Sequence, residues 1–175
     1  MAREKTWWQD SPRGLCTKAE TFRTVGRDAL DAHITRSSCF SPLPDDASYV
    51  LQFNPPSLAI YYNFLHAVEL ALKAYLRQVE AVPMEKLRNP PFGHNISKLL
   101  TVAIERDIRS HCALEENQIQ ALHQSSCVYS NKGLEYFQLE LITLPPIDPI
   151  PIATDVLIDG IKAMNLRLAK EPSGG

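Results

Sequence analysis

The sequence contains no long hydrophobic run, although 45% of its 175 residues are hydrophobic. No apolar stretch approaches the roughly 20 residues that a membrane-spanning helix requires. The first fourteen residues, MAREKTWWQDSPRG, also lack the apolar centre of a secretory signal. These absences predict a cytoplasmic protein that has no membrane partner.

Cysteine is scarce, and its spacing does not suit a metal site. The four cysteines are Cys16, Cys39, Cys112 and Cys127, and no two of them form a CxxC pair. Zinc usually takes its ligands from such close pairs, so we expect no metal and reduced thiols. The chain also has no HExxH motif and no glycine-rich phosphate loop. We therefore expect no cofactor.

The charge is nearly balanced, with a formal net charge of -2. This net charge excludes the strongly basic overall surface of many nucleic-acid-binding proteins, but it does not exclude a local basic patch. The length suits one domain with a sizeable core. We predict a flexible arm over residues 1–14, followed by a single helical domain over residues 15–171.

What the sequence does have is one strongly helical segment, residues 58–79. Apolar residues recur there at helical spacing and cover two neighbouring faces. The two faces comprise Leu58, Ile60, Tyr61, Tyr62, Phe64, Leu65, Ala67, Val68, Ala71, Leu72, Ala74, Tyr75, Leu76 and Val79. A helix that is apolar around most of its girth is covered on several sides. We predict this helix to be the centre of an all-α bundle.

Four further segments complete a predicted bundle of about five helices. They are residues 17–37, 95–109, 114–129 and 151–170. Thr17 and Glu20 have the spacing of a capping box, and Asn95 is a favourable N-cap residue. A long proline-rich connector is expected over residues 38–56, and an extended segment over residues 134–151 precedes the last helix.

Three patches, in this order, resemble the HEPN superfamily of small α-helical bundles. The first is ELALKAYL at residues 69–76, and the second is GHNI at residues 93–96, with Leu99 and Leu100 following. The third is YSNKGLEYF at residues 129–137. The order matches the family pattern of a long helix, a helix started by glycine and histidine, and a later segment with tyrosine and basic residues. The resemblance covers roughly residues 58–168.

The resemblance implies a HEPN-like domain that forms a homodimer. Many such domains are RNases or toxins in defence and toxin–antitoxin systems, and others bind RNA, nucleotides or protein partners without catalysis. We therefore expect binding of RNA or a nucleotide, in a toxin–antitoxin or phage-defence setting. Two alternatives stay open: a non-enzymatic dimerisation or interaction module with a cognate protein partner, and a metal-independent endoribonuclease.

Arg106 and His111 are the candidate catalytic residues of the ribonuclease alternative. Catalytic members of the family carry an arginine and, four to six residues later, a histidine. An arginine can hold a phosphate, and a histidine can move the proton of a ribose 2′-hydroxyl. However, the family motif lies later in the chain, and five residues on a straight helix separate two side chains by about 140°. A chance pair at a solvated helix end is the simpler alternative.

Three of the predicted ligand-binding residues form the polar line on the otherwise apolar central helix. They are His66, Glu69 and Lys73, and we expect them to face a shared groove. The plainer alternative is a surface ion pair, because Glu69 and Lys73 have the favourable i,i+4 order.

The other three predicted ligand-binding residues lie later in the chain. His94 opens a helix, whose N-terminus attracts anions, although capping or packing is the plainer role. Lys132 and Tyr136 follow Tyr129 in the third patch. Aromatic and cationic side chains can stack a base and hold its phosphate, or can simply pack and solvate a chain reversal.

Overall fold

The computed structural model describes residues 8–38, 57–130 and 144–169. Within these ranges the chain forms six α-helices and no strand, which confirms the predicted all-α bundle. The helices are α1 (Pro12–Ser38), α2 (Leu58–Glu80), α3 (Met84–Arg88), α4 (Ile96–Glu105), α5 (Glu116–Ser130) and α6 (Pro149–Leu168). None of the six combines the length and the apolar character that crossing a bilayer demands. Residues 39–56 of the predicted connector and 134–143 of the predicted extended segment lie outside the described ranges.

Helix α2 is the centre of the bundle, as its two apolar faces predict. It packs against α1, α4, α5 and α6, and 14 of its 23 residues are buried. The side chains of Phe64, Leu65 and Leu72 are fully buried. The other helices supply the rest of the core around α2, including Leu15, Ala19, Leu99, Leu100, Leu122, Leu157 and Ile161.

Helix α1 begins five residues before the predicted start at Thr17. It starts at Pro12, and the Ser11 hydroxyl accepts a hydrogen bond from the backbone N–H of Gly14 at 3.0 Å. Proline suits the first turn of a helix, because its missing N–H would have no helical partner there. Thr17 is not a cap, since its hydroxyl donates to the carbonyl oxygen of Arg13.

Part of the predicted N-terminal arm is folded onto the bundle. Trp8–Asp10 form a 3₁₀ turn, and the Asp10 carboxylate accepts a hydrogen bond from Arg88 at 2.8 Å. Residues 1–7 of the arm lie outside the described ranges. The folded domain therefore begins earlier than the predicted residue 15.

Gly26 lets α1 approach α2 closely. A Cβ atom at this position would lie 3.2 Å from the ring of Phe64, tighter than ordinary van der Waals contact. Val25, the residue before Gly26, is 49% exposed.

The segment between α2 and α5 differs most from prediction. Helix α3 is a short helix between Pro83 and Pro90 that is not among the predicted segments. Asn95 caps α4 as predicted, because its side chain accepts a hydrogen bond from the N–H of Lys98 at 2.9 Å. Helix α4 ends at Glu105 rather than near residue 109, since Asp107 adopts a left-handed backbone with φ of 63°.

Candidate functional site

The carboxylate of Glu69 is the centre of a buried polar cluster. Glu69 is 2% exposed, and its Oε1 accepts a hydrogen bond from Nζ of Lys73 at 2.5 Å. Its Oε2 accepts the hydroxyl proton of Tyr129 and lies 3.1 Å from Nδ1 of His94. Residues from α2, from the turn before α4 and from α5 therefore meet at one side chain. We call His66, Glu69, Lys73, His94 and Tyr129 the Glu69 cluster.

His66 joins the cluster from the preceding turn of α2. Its Nδ1 lies 2.7 Å from the Tyr129 hydroxyl and 3.5 Å from Oε2 of Glu69. Tyr62 stacks on the imidazole, with ring centroids 5.6 Å apart and planes inclined by 6°. Phe22 of α1 meets the same ring edge-on, with centroids 4.3 Å apart. Aromatic rings thus surround the polar groups and fix the orientation of His66.

The cluster keeps Glu69 ionised. Burial by itself raises the pKa of Glu69, because a charged group is poorly solvated inside the bundle. Hydrogen bonds from His66, Lys73 and Tyr129, together with the positive charge of Lys73, outweigh burial and lower the pKa to about 2. The carboxylate is therefore an anion and a hydrogen-bond acceptor at neutral pH.

The lowered pKa of Glu69 predicts a loss of stability in acid. The folded pKa of about 2 lies below the ordinary value of 4.5. The stabilisation is therefore fully present above the ordinary value and is lost as the pH falls toward 2. The difference in unfolding free energy between wild type and Glu69→Gln should shrink by about 3 kcal/mol over this range. Urea unfolding of both proteins at several pH values measures this difference in unfolding free energy. A difference that does not change with pH would contradict the lowered pKa of Glu69.

The hydrogen-bond pattern also fixes which nitrogen of each imidazole carries a proton. Tyr129 gives its one hydroxyl proton to Glu69, so its oxygen is an acceptor toward His66. Nδ1 of His66 is therefore protonated. Nδ1 of His94 faces an ionised carboxylate oxygen and is protonated for the same reason. In a neutral ring that carries its proton on Nδ1, Nε2 is the nitrogen without a proton.

The cluster brings together four of the six predicted ligand-binding residues: His66, Glu69, Lys73 and His94. The alternative of a solvated Glu69–Lys73 pair is wrong, because the Lys73 side chain is only 6% exposed. His94 is half exposed and contacts Glu69, while Asn95 takes the capping role. The remaining two, Lys132 and Tyr136, lie outside the described residues.

Tyr62 and Phe22 are site residues that sequence reasoning did not select, whereas Tyr129 was named with Lys132 and Tyr136 in the third patch. Tyr129 stands at the start of the third patch, and that position was the available signal. Tyr62 and Phe22 have the spacing of residues on an apolar helix face. A ring that packs on an imidazole has the same helical spacing as a ring in the core, so periodicity cannot distinguish the two roles.

Arg106 and His111 lie apart from the Glu69 cluster, around Tyr75. Nε of Arg106 donates a hydrogen bond to Glu80, and the Tyr75 hydroxyl donates to the Arg106 carbonyl oxygen. The His111 ring lies 6.2 Å from the Tyr75 ring. Because α4 ends at Glu105, the predicted separation of the pair around one straight helix does not apply. Both residues are exposed, and neither contacts the cluster within the described part of the chain.

A smaller polar group joins α4 and α5 beside the cluster. The Ser97 hydroxyl lies 2.7 Å from Nδ1 of His123, and the Ser97 N–H donates to the Ser126 hydroxyl at 2.9 Å. His123 is thus held against the start of α4. It provides a matched control for substitutions of His94.

Known proteins offer no guide here, since no family model, curated protein or solved structure matches this chain. The HEPN resemblance therefore stays a prediction. Across the described ranges, no group of three or more His, Cys, Asp and Glu side chains is placed to hold a metal ion. A function must therefore be inferred from the groups at the Glu69 cluster.

Proposed function

We propose that this protein is a HEPN-like domain that binds RNA or a nucleotide at the Glu69 cluster. The observation that carries the proposal is the convergence of polar side chains from three elements on one buried carboxylate. The convergence occurs where His94 is half exposed, so the buried groups connect to the surface. A ligand can therefore contact the cluster through His94.

Stability alone is a weak reason for such a cluster. A buried ion pair often stabilises a fold no more than apolar side chains of similar size would. A buried carboxylate with a strongly shifted pKa and specific partners is more typical of functional sites. The chemistry also suits a nucleotide, because the half-exposed imidazole of His94 can bind a phosphate oxygen.

Substitution of His94 by alanine should weaken binding of RNA or nucleotide by about tenfold or more, roughly 1.4 kcal/mol. His94 is the half-exposed member, so its removal leaves the buried Glu69–Lys73 pair in place. Fluorescence anisotropy with labelled RNA, and calorimetry with nucleotides, measure the change. Low salt is required, because phosphate contacts supply much of the affinity and salt weakens them. Lys73→Ala is a poor test, since it strands the buried carboxylate.

His123→Ala is the matched control and should bind as wild type does. Equal binding by wild type and His94→Ala would place the ligand elsewhere. If wild type binds neither RNA nor nucleotide, the proposal fails and the protein-interaction alternative gains. Metal-free RNA cleavage that is lost in both Arg106→Ala and His111→Ala would instead support the ribonuclease alternative. The homodimer and the toxin–antitoxin or phage-defence setting stay predictions.

A further inference from the structure

We propose that a cleft at one end of the bundle binds a small monocarboxylate with an apolar body, of the kind that medium-chain fatty acids represent. The cleft lies between the start of α1, the end of α6 and Gln78 near the end of α2, and its volume is about 520 Å³. Cavities of roughly 300–1,000 Å³ are typical of small-molecule sites. None of the residues of the Glu69 cluster lines this cleft, so the inference goes beyond the proposed function.

Two helix faces form the walls of the cleft. On α1, Arg13, Cys16 and Glu20 recur at helical spacing, so their side chains lie on one face. Lys162 and Asn165 of α6 line the opposite wall. Nδ2 of Asn165 donates a hydrogen bond to Sγ of Cys16 at 3.6 Å, and Nζ of Lys162 donates to the Glu20 carboxylate. These two contacts join the walls, so the cleft exists before a ligand arrives.

Much of the lining is apolar. Cys16 is 4% exposed, and burial raises the pKa of its thiol to about 11, so this group stays uncharged near neutral pH. Leu166 and Leu168 line the cleft too, although they are 58% and 43% exposed. Covering exposed leucines with an apolar group is favourable, because it removes apolar surface from water. The lining therefore favours a ligand with an apolar body.

The charged lining residues favour a ligand with one negative charge. They are Arg13, Lys162 and Glu20, so two positive charges and one negative charge leave a net charge of +1. The Glu20 carboxylate is already occupied, since it pairs with Lys162 and lies 3.9 Å from Arg23. Arg13 belongs to none of the ion pairs between described residues. A guanidinium can bind a carboxylate through two parallel hydrogen bonds, so Arg13 is the expected partner of the ligand.

Calorimetry on the full chain tests the inference with octanoate, octan-1-ol and acetate. Octanoate should bind at least about tenfold more tightly than either of the others, because octan-1-ol lacks the negative charge and acetate lacks the apolar body. Failure of octanoate to bind at millimolar concentration would overturn the inference. Equal affinity for octanoate and either comparison compound would overturn it as well.

Substitutions at exposed lining residues test where octanoate binds. Arg13→Gln removes a positive charge without breaking an ion pair between described residues, so it should weaken octanoate binding by about tenfold and leave octan-1-ol binding unchanged. Arg36→Gln makes the same change near the other end of α1, outside the lining, and should bind octanoate as wild type does.

A second pair of variants tests the opposite wall. Leu166→Asp places a negative charge in the cleft and should also weaken octanoate binding by about tenfold. Ile152 is 51% exposed near the start of the same helix and does not line the cleft, so Ile152→Asp should keep wild-type affinity. Wild-type octanoate affinity in Arg13→Gln or in Leu166→Asp would overturn the inference.

Discussion

Replacement of Glu69 by glutamine is expected to destabilise the protein by about 3–5 kcal/mol. The side chain keeps its size, but Lys73 is left as a buried cation whose ionic partner is gone. Removing one member of a buried pair costs more than the pair contributes, because the remaining charge has lost its water without compensation. Chemical denaturation with urea at neutral pH measures the free energy of unfolding.

Two further variants test whether the buried charge of Lys73 causes the loss of stability in Glu69→Gln. Glu80→Gln removes the exposed carboxylate that pairs with Arg106 and should change stability by about 1 kcal/mol or less. Adding Lys73→Met to Glu69→Gln removes the stranded cation and should recover part of the loss. A double variant no more stable than Glu69→Gln alone would show that the stranded charge is not the cause.

Replacement of Leu72 by alanine is expected to destabilise the protein by about 2–5 kcal/mol. The Leu72 side chain is fully buried in the middle of α2, which packs against four other helices. Truncation removes buried methyl groups and leaves a cavity that the surrounding helices fill only in part. Leu65→Ala should behave in the same way, because Leu65 is equally buried.

Val79→Ala provides the comparison on the same helix. Val79 lies near the end of α2 and is 41% exposed, so its truncation should change the unfolding free energy by about 0.5 kcal/mol or less. Urea denaturation of the three variants measures the contrast. Similar losses for Leu72→Ala and Val79→Ala would contradict the central position of α2.

Periodicity could predict the centre of this fold because α2 is apolar on so many sides. It could not locate the helix ends, which depend on single backbone contacts. The start of α1 follows from Ser11 and Pro12, whereas the capping-box pattern at Thr17 favoured a later start. Helix α4 ends where Asp107 adopts a left-handed backbone conformation. An aspartate can adopt this conformation but usually does not, so its presence in the sequence does not predict the end of the helix.

The candidate site was partly predictable for a similar reason. His66, Glu69 and Lys73 interrupt an apolar helix, and a polar line in such a helix needs water or polar partners. The family resemblance added His94. Tyr129 lies 60 residues beyond Glu69 in the chain, and spacing within a helix carries no information about such a contact. Arg106 and His111 have the spacing of a family motif, but the fold does not place them near the Glu69 cluster.

The graded exposure of the Glu69 cluster separates two kinds of evolutionary constraint. Glu69, Lys73 and Tyr129 are buried and depend on one another, so selection for folding alone is expected to reject the loss of any one of them by itself. His94 is half exposed, so the same selection should let it vary. In a library randomised at these four positions, sorting for folding and then for ligand binding distinguishes the two constraints. An invariant His94 should emerge only in the second round.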